Sequence, residues 1–300
     1  MKSLAKFSEE YVSGVISKKE YSEKMYNEGH SLLFEYSDIL SKNELLDNIS
    51  ISKDDVFFTL KNGIKLVAIA NDYGIIPLAI LNFGKYEEKL WNKTISILDK
   101  TPQTIFDIGG NIGYFSLYLT KCFPMANIHC FEPIPNTYKY LLKDIELNDA
   151  DNIKTYNLGL SNFKQSVEMF YNHNGCGASS LRNLLPEDNV EKIVCEFTTL
   201  DEFVKEHKID NIDFIKCDVE GAEKLVYEGG LKTIEKFKPV IYSEMLRKWS
   251  AKFNYHPNDI IKLLAELNYD CYAISEESYY KIDKITEETV ETNYIFKQKS

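Results

Sequence analysis

The chain has 300 residues, of which 44% are hydrophobic and 13% aromatic, so it can bury a substantial core and is too rich in aromatic residues to be disordered. Its formal net charge of -11 disfavours a protein that binds along a nucleic-acid backbone. The N-terminal sequence carries acids where a signal peptide needs an apolar core, and no apolar run reaches the length of a membrane span. The six cysteines are scattered without a C-x-x-C pair, which predicts a cytoplasmic protein with reduced thiols.

The first segment, residues 1–52, is expected to be a helical appendage. Apolar residues recur near the helical period from Leu4 to Tyr11 and again from Leu32 to Leu40. Such helices could cap the core, form a dimer contact or close over a substrate. A homodimer is therefore one of the partners that the sequence allows.

The second segment, residues 53–100, is expected to contain a β-hairpin followed by a linking helix. DVFFTLKNGIKLVAI consists of two β-rich runs around Asn62 and Gly63, which is a strong hairpin signal. GKYEEKLWNKTISILDK follows with the pattern of an amphipathic helix.

Strand and helix patterns alternate through residues 101–300. The strand-like runs are TIFDI, NIHCFE, IKTYNLGL, IDFIKCD, PVIYSE, CYAIS and NYIFKQK. Alternation of this kind predicts a parallel sheet with helices on both faces, in a doubly wound α/β fold. Ligands of such folds bind outside the carboxyl ends of the strands, so the residues that end each strand are the candidates for function.

The turn FDIGGNIGYFS, between a strand and a helix, holds the first candidate site. A dinucleotide fingerprint needs glycine at its first, third and sixth positions, but Asn111 and Tyr114 occupy the last two, and no Gly-Lys-Ser/Thr ends the loop. Unpaired backbone N–H groups are expected in the turn, where they would favour a ligand anion that need not be a phosphate.

Two acids complete this candidate site. Asp107 lies two residues before the glycine turn, and Glu132 ends the next strand. A carboxylate at such a position can accept both hydroxyls of a ribose, while the helix N-terminus holds an amino-acid carboxylate. Ribose together with an amino acid predicts S-adenosylmethionine as the ligand.

The same motifs carry a family resemblance. The chain resembles the FkbM-type methyltransferases through DIGGNIGYFSLYL, FEPIPNTYKYLLKDIELN, NLGLSN, GCGASSL and DFIKCDVEGAEKLVYEGG. The family usually has alanine at the position of Gly110, a small departure. The resemblance implies a class I, Rossmann-like methyltransferase sheet, mostly parallel with an antiparallel C-terminal strand. It also implies S-adenosylmethionine as methyl donor, S-adenosylhomocysteine as product, and usually O-methylation, often of sugars.

Transferred position by position, the resemblance implies a set of cofactor-binding residues. They are Asp107, Gly109, Gly110, Asn111, Gly113, Glu132, Pro133, Asn157, Leu158, Gly159, Ser179 and Asp218.

The chemistry is expected at IDFIKCDVEGAE. Asp218 and Glu220 follow a buried strand, where they could stabilise a helix N-terminus or take the proton of an acceptor hydroxyl. Lys216 interrupts the apolar strand and should pair with a strand-end acid or contact the substrate. Glu244 ends the adjacent strand, and His256, just before a helix, is a further catalytic candidate. A divalent cation shared by two of these acids is allowed but not favoured, and no metal site is predicted.

The sequence therefore predicts an S-adenosylmethionine-dependent O-methyltransferase acting on a hydroxyl of a sugar, whether nucleotide-activated or in a glycan or polysaccharide precursor. Two alternatives stay open: N- or O-methylation of a small-molecule natural product, and a non-catalytic cofactor-binding partner. Nucleic-acid methylation is disfavoured because no basic, aromatic strip is visible.

Overall fold

The computed structural model describes residues 3–185 and 190–299. The chain starts with three helices, and a short π-helical turn, Tyr26–His30, joins the second to the third. The three helices are α1, Ser3–Val12, α2, Lys18–Met25, and α3, Ser31–Lys42. No side chain of α2 or α3 is buried, so these helices contribute little to the core of the described chain.

A small antiparallel sheet follows the helices, with strands in the order β1-β2-β3. The strands are β1, Leu46–Ile51, β2, Val56–Leu60, and β3, Lys65–Val67. The predicted hairpin is confirmed, with Gly63 in its turn at a φ of 83°. The prediction of helices as far as residue 52 is wrong, because β1 pairs with β2 and buries Leu46 in the core.

Two helices connect this sheet to the rest of the chain. Helix α4, Ile76–Phe83, was not expected from the sequence, whereas α5, Glu88–Ser96, is the predicted linking helix. Helix α4 ends at Gly84, whose left-handed φ of 67° lets the chain turn away. Helix α5 buries Leu90, Trp91 and Thr94.

The first parallel strands of the main sheet come next, each followed by a loop or helix as predicted. They are β4, Thr104–Ile108, α6, Tyr114–Cys122, β5, Asn127–Phe131, α7, Pro135–Leu147, and β6, Ile153–Tyr156.

A second small sheet has its strands in the order β7-β9-β8, of which β8 and β9 were not assigned from the sequence; the run IKTYNLGL, predicted as one strand, is divided between β6 in the main sheet and β7 in this one. Its strands are β7, Gly159–Leu160, β8, Gln165–Asn172, and β9, Val190–Thr198. Strands β8 and β9 pair antiparallel but are separated by residues 173–189, which is why no tight-turn signal revealed them. Residues 173–181 fold back so that Phe170 bridges Ser180.

The remaining elements complete the main sheet. They are α8, Leu200–Glu206, β10, Phe214–Cys217, α9, Glu223–Glu228, α10, Leu231–Phe237, β11, Val240–Glu244, α11, Arg247–Ser250, α12, Pro257–Glu266, β12, Tyr269–Ile274, β13, Tyr279–Lys281, and β14, Asn293–Gln298.

The main sheet has eight strands among the described residues, in the order β13-β12-β14-β11-β10-β4-β5-β6. Strands β11, β10, β4, β5 and β6 are parallel, and β14 inserts antiparallel between β11 and β12. Two hydrophobic clusters pack against this sheet, one around Tyr114 and Trp91 and the other around Phe203 and Tyr227. The predicted fold class is confirmed.

No helix within residues 3–185 and 190–299 is long and apolar enough to cross a membrane.

Deletion of residues 1–42 is expected to leave cofactor binding intact. Helices α1–α3 end before Asn43, whose buried amide donates to the carbonyl of Ile80 and anchors the chain there. Calorimetry with S-adenosylhomocysteine should therefore give the same dissociation constant for the truncated and the full chain. Loss of binding by a truncated protein that remains folded would contradict this division of the chain.

Candidate active site

A cleft opens at the carboxyl ends of β4, β5, β10 and β11, where an α/β sheet is expected to bind its ligand. Among the predicted site residues, the structure brings twelve together on its wall. These are Gly109, Gly110, Asn111, Glu132, Pro133, Leu158, Gly159, Ser179, Lys216, Asp218, Glu220 and Glu244.

The end of β4 lies so close to the end of β10 that the turn after β4 must begin with glycine. Gly109 has a φ of 79°, and a Cβ placed there would lie 1.8 Å from the carbonyl oxygen of Asp218. Gly113 has a φ of 87° and packs against Leu141, but it does not line the cleft. Only glycine fits at Gly109 without moving the strand that carries Asp218.

The backbone N–H groups of this turn are not free, contrary to the sequence expectation. Gly109 and Gly110 both donate to the carbonyl of Phe131 on β5, and Gly113 donates to Gly110. Asn111 donates to the carboxylate of Glu132. The turn therefore contributes a closely fitting surface to the cleft. It does not provide the row of free N–H donors that was predicted.

Glu132 is a buried carboxylate on the cleft wall, with 6% of its surface exposed. Its Oε2 accepts from the backbone N–H of Asn111 at 3.1 Å and its Oε1 from that of Ile134 at 2.8 Å. Burial raises the pKa of Glu132 to about 8, although the two backbone donors act in the opposite direction. When ionised, Glu132 has about four lone-pair sites, of which two remain for ligand hydroxyls, so a ligand that donates two hydroxyls would favour the ionised form.

Apolar residues from β5, β6 and the second sheet continue the cleft beyond Glu132. They are Phe131, Ile134, Leu158, Leu160, Met169, Leu181 and Phe197. Asn157 does not line the cleft; its amide donates to the backbone carbonyls of Glu132 and Pro133 and so fixes the loop that carries them. A flat, apolar ring such as adenine suits this part of the wall.

Asp107 lies behind the cleft wall and does not contribute to it. Its side chain is fully buried, accepts from the hydroxyl of Ser116 at 2.7 Å, and lies 3.4 Å from the ammonium of Lys216. The predicted direct contact with a ligand is therefore replaced by a contact with Lys216. The alternation of TIFDI could not reveal this, because both faces of a doubly covered strand are buried.

Lys216 connects the glycine turn to the acid at the end of β10. Its ammonium donates to the carbonyl of Gly109 at 2.8 Å and lies 3.4 Å from carboxylate oxygens of both Asp107 and Asp218. Burial acts to lower the pKa of Lys216, but the two carboxylates outweigh it and raise the pKa above its ordinary value. The expected ion pair is present, and the lysine stays charged.

Three acids converge at this end of the cleft. Burial raises the pKa of Glu244 to about 10, and the neighbouring charge of Asp218 adds to the effect. Burial likewise raises the pKa of Glu220 well above its ordinary value, and its Oε2 has no hydrogen-bond partner in the described part of the chain. Glu220 also holds a left-handed φ of 53°. Burial therefore favours the protonated forms of Glu220 and Glu244 beside Asp218.

The segment between β3 and α5 supplies a wall of the cleft that the sequence did not reveal. Gly74, Ile75, Ile76, Tyr86, Glu87 and Trp91 line it. Glu87 holds a left-handed φ of 32° and is exposed at the start of α5. The motif YEE carries no signal of its own, so this wall could be found only from the tertiary structure.

His256 does not reach the cleft, and the prediction that it is catalytic is not supported by its position. Its Nδ1 accepts from the backbone N–H of Asn258, and Asp259 accepts from the N–H of His256, which caps α12. Ser179 lines the cleft, while the neighbouring Ser180 is buried and donates to the carbonyl of Glu220. Within the described residues, no group of three or more His, Cys, Asp or Glu side chains is arranged to hold a metal ion.

The ligand-free protein is expected to lose stability as the pH rises from 6.5 to about 8. The pKa values of Glu132 and Glu244 are raised to about 8 and about 10, whereas an unfolded glutamate titrates near 4.3. The unfolded chain therefore binds fewer protons than the folded one, and the free energy of unfolding falls with pH. The prediction is limited to pH values above 6.5 because of His129, whose pKa burial lowers to about 4. Below pH 6.5 the unfolded chain binds a proton at this histidine that the folded chain does not, so this residue makes the free energy of unfolding rise with pH there.

Urea unfolding at several pH values measures this slope. Glu244→Gln should flatten it, whereas Glu206→Gln, which removes an exposed acid on α8, should not. A stability that is constant or rises over this window would contradict the assignment of protons to the two buried acids.

The fold and the site together define a class I methyltransferase: a mostly parallel sheet with one antiparallel insertion, and a cleft at the strand ends that begins with a glycine turn and an acid. The family model described as "Methyltransferase FkbM domain" matches residues 107–271, more than half of the chain. The chain belongs to the FkbM methyltransferase family.

Several characterised proteins are similar to this chain. Methyltransferase sdnD from Sordaria araneosa is 33% identical over 153 residues, which is 42% of this chain and 59% of that protein. The 2-O-methyltransferase NoeI from Sinorhizobium fredii is 27% identical over 172 residues, or 52% of this chain and 68% of that protein. The chain thus spans about three fifths of the length of methyltransferase sdnD.

Solved structures are also similar. The crystal structure of methyltransferase FkbM from Methylobacillus flagellatus KT has 16% sequence identity and a TM-score of 0.46, covering 76% of this chain and 56% of that one.

The methyl donor of this class is S-adenosylmethionine, and the residues present fit it. Glu132 has acceptor positions left for the two ribose hydroxyls, and the apolar wall around Leu158 and Phe197 suits the adenine. The amino-acid end would lie at the glycine turn, where Gly109 and Gly110 line the cleft.

Proposed function

We propose that this chain is an S-adenosylmethionine-dependent O-methyltransferase that acts on a hydroxyl of a saccharide. The observation that carries the proposal is the set of carboxyl groups at one end of the cofactor cleft, where Asp218 lies beside Glu220 and Glu244. Carboxyl groups accept hydrogen bonds through their oxygens and, when protonated, also donate one, as recognition of sugar hydroxyls requires.

Asp218 is the group that takes the hydroxyl proton. A sugar hydroxyl stays protonated at neutral pH, so its oxygen becomes a good nucleophile only if a base removes the proton as the new bond forms. Asp218 lies at the end of β10, pairs with Lys216 and is partly exposed on the cleft wall, which makes it the best-placed acceptor among the three acids. The cofactor supplies an electrophilic methyl group at this end of the cleft.

Lys216 acts as a positioning residue for this base. Its ammonium is fixed by the carbonyl of Gly109 and by Asp107, so it holds the carboxylate of Asp218 at the end of β10. Lys216 has 7% of its surface exposed, so water is largely excluded from its ammonium group, while the carboxylate of Asp218 stays partly exposed to the cleft. Most of the remaining acceleration is expected from alignment of the hydroxyl oxygen with the methyl group.

Aromatic side chains on the acceptor side support a saccharide substrate. Tyr86, Trp91 and Tyr242 line the cleft on the side of Glu244, and the hydroxyl of Tyr242 donates to the side chain of Asn293, another lining residue. Trp91 and Tyr242 are buried, so Tyr86, which is half-buried and packs edge-on against Trp91, is the ring available to an apolar face of a sugar, while the acids bind the sugar hydroxyls. The name of NoeI, a 2-O-methyltransferase, also supports transfer to oxygen.

Incubation with methyl-labelled S-adenosylmethionine and a panel of nucleotide-sugars, free sugars and glycan precursors tests the proposal. Label should appear in an ether linkage on a saccharide. Label on amines or on a non-saccharide natural product would favour the alternative small-molecule methyltransferase, and tight cofactor binding without any transfer would favour a non-catalytic partner. Calorimetry that showed tight binding of NAD and none of S-adenosylmethionine would reject the whole proposal. A cytoplasmic location and a homodimer remain predictions.

A further inference from the structure

Two segments that are distant in sequence meet at the rim of the cofactor cleft. Residues 71–76 follow β3, and residues 173–181 lie between β8 and β9; both contribute lining residues, including Gly74 and Gly177. The backbone N–H of Gly74 donates to the carbonyl of Asn174 at 3.1 Å. A Cβ on Gly74 would lie 3.2 Å from the Cα of Gly175, so the two backbones are in close contact.

One buried side chain joins these segments. Asp72 has 1% of its surface exposed, and its Oδ1 accepts from the backbone N–H of Gly74 at 3.0 Å. Its Oδ2 accepts from the backbone N–H of Cys176 at 2.9 Å. No lysine or arginine forms an ion pair with Asp72 among the described residues, so backbone donors from both segments hold its carboxylate. Charge-assisted hydrogen bonds of this kind are among the stronger ones in proteins.

The contact continues from Asp72 to the glycine turn. Cys176, held by Asp72, places its sulfur 3.6 Å from the side-chain oxygen of Asn111. The backbone N–H of Asn111 in turn donates to Glu132, the acid that is available for the ribose. Displacement of residues 173–181 would therefore disturb the wall on which the cofactor lies.

We propose that Asp72 is a positioning residue for the cofactor, which clamps residues 173–181 onto the cleft and so controls the affinity for S-adenosylmethionine and S-adenosylhomocysteine. Asp72 lies outside residues 107–271, so the clamp is a contribution of this chain's own N-terminal segment to a site that the family domain otherwise builds. The proposal depends on the cofactor and not on the identity of the acceptor.

Asp72→Asn tests the clamp, because the amide keeps one acceptor oxygen but turns an N–H₂ group toward a backbone donor. The dissociation constant for S-adenosylhomocysteine, measured by calorimetry, should rise at least about 10-fold, since one charge-assisted hydrogen bond is lost. Hydrogen exchange should show lower protection of the amides of Gly74 and Cys176.

Asp213→Asn is the matched control. Asp213 is also buried and also accepts backbone N–H groups from another segment, those of Gln103 and Thr104, but it lies at the amino ends of β10 and β4, away from the cleft, and it pairs in addition with Lys100. It should lower the free energy of unfolding without changing the dissociation constant. Equal loss of affinity in both variants would show that Asp72 acts only through general stability and would overturn the proposal.

A second variant covers the case in which Asp72→Asn does not fold. Gly74→Ala keeps the aspartate but introduces a Cβ at 3.2 Å from Gly175, which forces the two segments apart by a few tenths of an ångström. Its affinity for S-adenosylhomocysteine should fall in the same direction by a smaller factor. An unchanged dissociation constant in a folded Gly74→Ala protein, with unchanged exchange at Cys176, would also overturn the proposal.

Discussion

Replacement of Asp218 by asparagine is expected to lower kcat on the true acceptor about 10²–10⁴-fold, which is the usual contribution of a positioned base. The amide has nearly the same shape but cannot accept a proton, and it loses its attraction to Lys216, 3.4 Å away. Cofactor affinity should fall much less, because Glu132 and the apolar wall are unchanged. Single-turnover kinetics with labelled cofactor separates the two quantities.

Two neighbouring acids provide control variants for the effect of Asp218→Asn on kcat. Glu220→Gln should have a smaller effect than Asp218→Asn, because burial raises the pKa of Glu220 and so favours its protonated form, which the amide resembles. Glu223→Gln is the structural control: Glu223 is buried in the same turn, but it accepts from the backbone of Val219 and Gly221 and does not line the cleft. If Asp218→Asn keeps near-wild-type kcat, the base lies elsewhere and Glu244 becomes the next candidate.

Lys216→Met is expected to reduce the free energy of unfolding by about 3–5 kcal/mol, the typical effect of removing one partner from a buried ion pair. Asp107 is fully buried, and its Oδ1 has no hydrogen-bond partner among the described residues and depends on the lysine charge. Methionine fills a similar volume, so the effect measures the unpaired charge rather than a cavity. Urea unfolding monitored by circular dichroism gives the quantity.

A second ion pair serves as the control for this measurement. Lys224 and Glu228 form a partly exposed pair on α9 at 2.7 Å, and Lys224→Met should cost less than about 1 kcal/mol. Adding Asp107→Asn to Lys216→Met should restore part of the lost stability, because it removes the stranded charge. A Lys216→Met protein as stable as the wild type would contradict the interpretation that Lys216 and Asp107 form a stabilising buried ion pair.

The features that could be predicted from the sequence are those set by local pattern. TIFDI and IDFIKCD became β4 and β10 because continuous apolar runs followed by an acid are typical of buried parallel strands. Glu132, at the end of the adjacent strand, was placed correctly on the cleft for the same reason. These signals act over a few residues, so one sequence is enough to read them.

The features that were missed depend on contacts between distant residues. The N–H groups of Gly109 and Gly110 donate hydrogen bonds to the carbonyl of Phe131, which lies on a neighbouring strand. Asp72 reaches Cys176 across 104 positions. His256 looked functional because a histidine before a helix has the same local pattern whether it binds a substrate or caps the helix. Only the packed chain distinguishes these cases.

The position of β14 has a consequence for synthesis in the cell. Strand β14 is made after β12 and β13, yet it lies between β11 and β12 in the sheet. Until residue 298 has been translated, the unpaired edge of β11 stays open to other nascent chains, and edges of this kind favour aggregation. Slower translation at low temperature and the presence of chaperones should therefore raise the soluble yield of this protein more than they raise its specific activity.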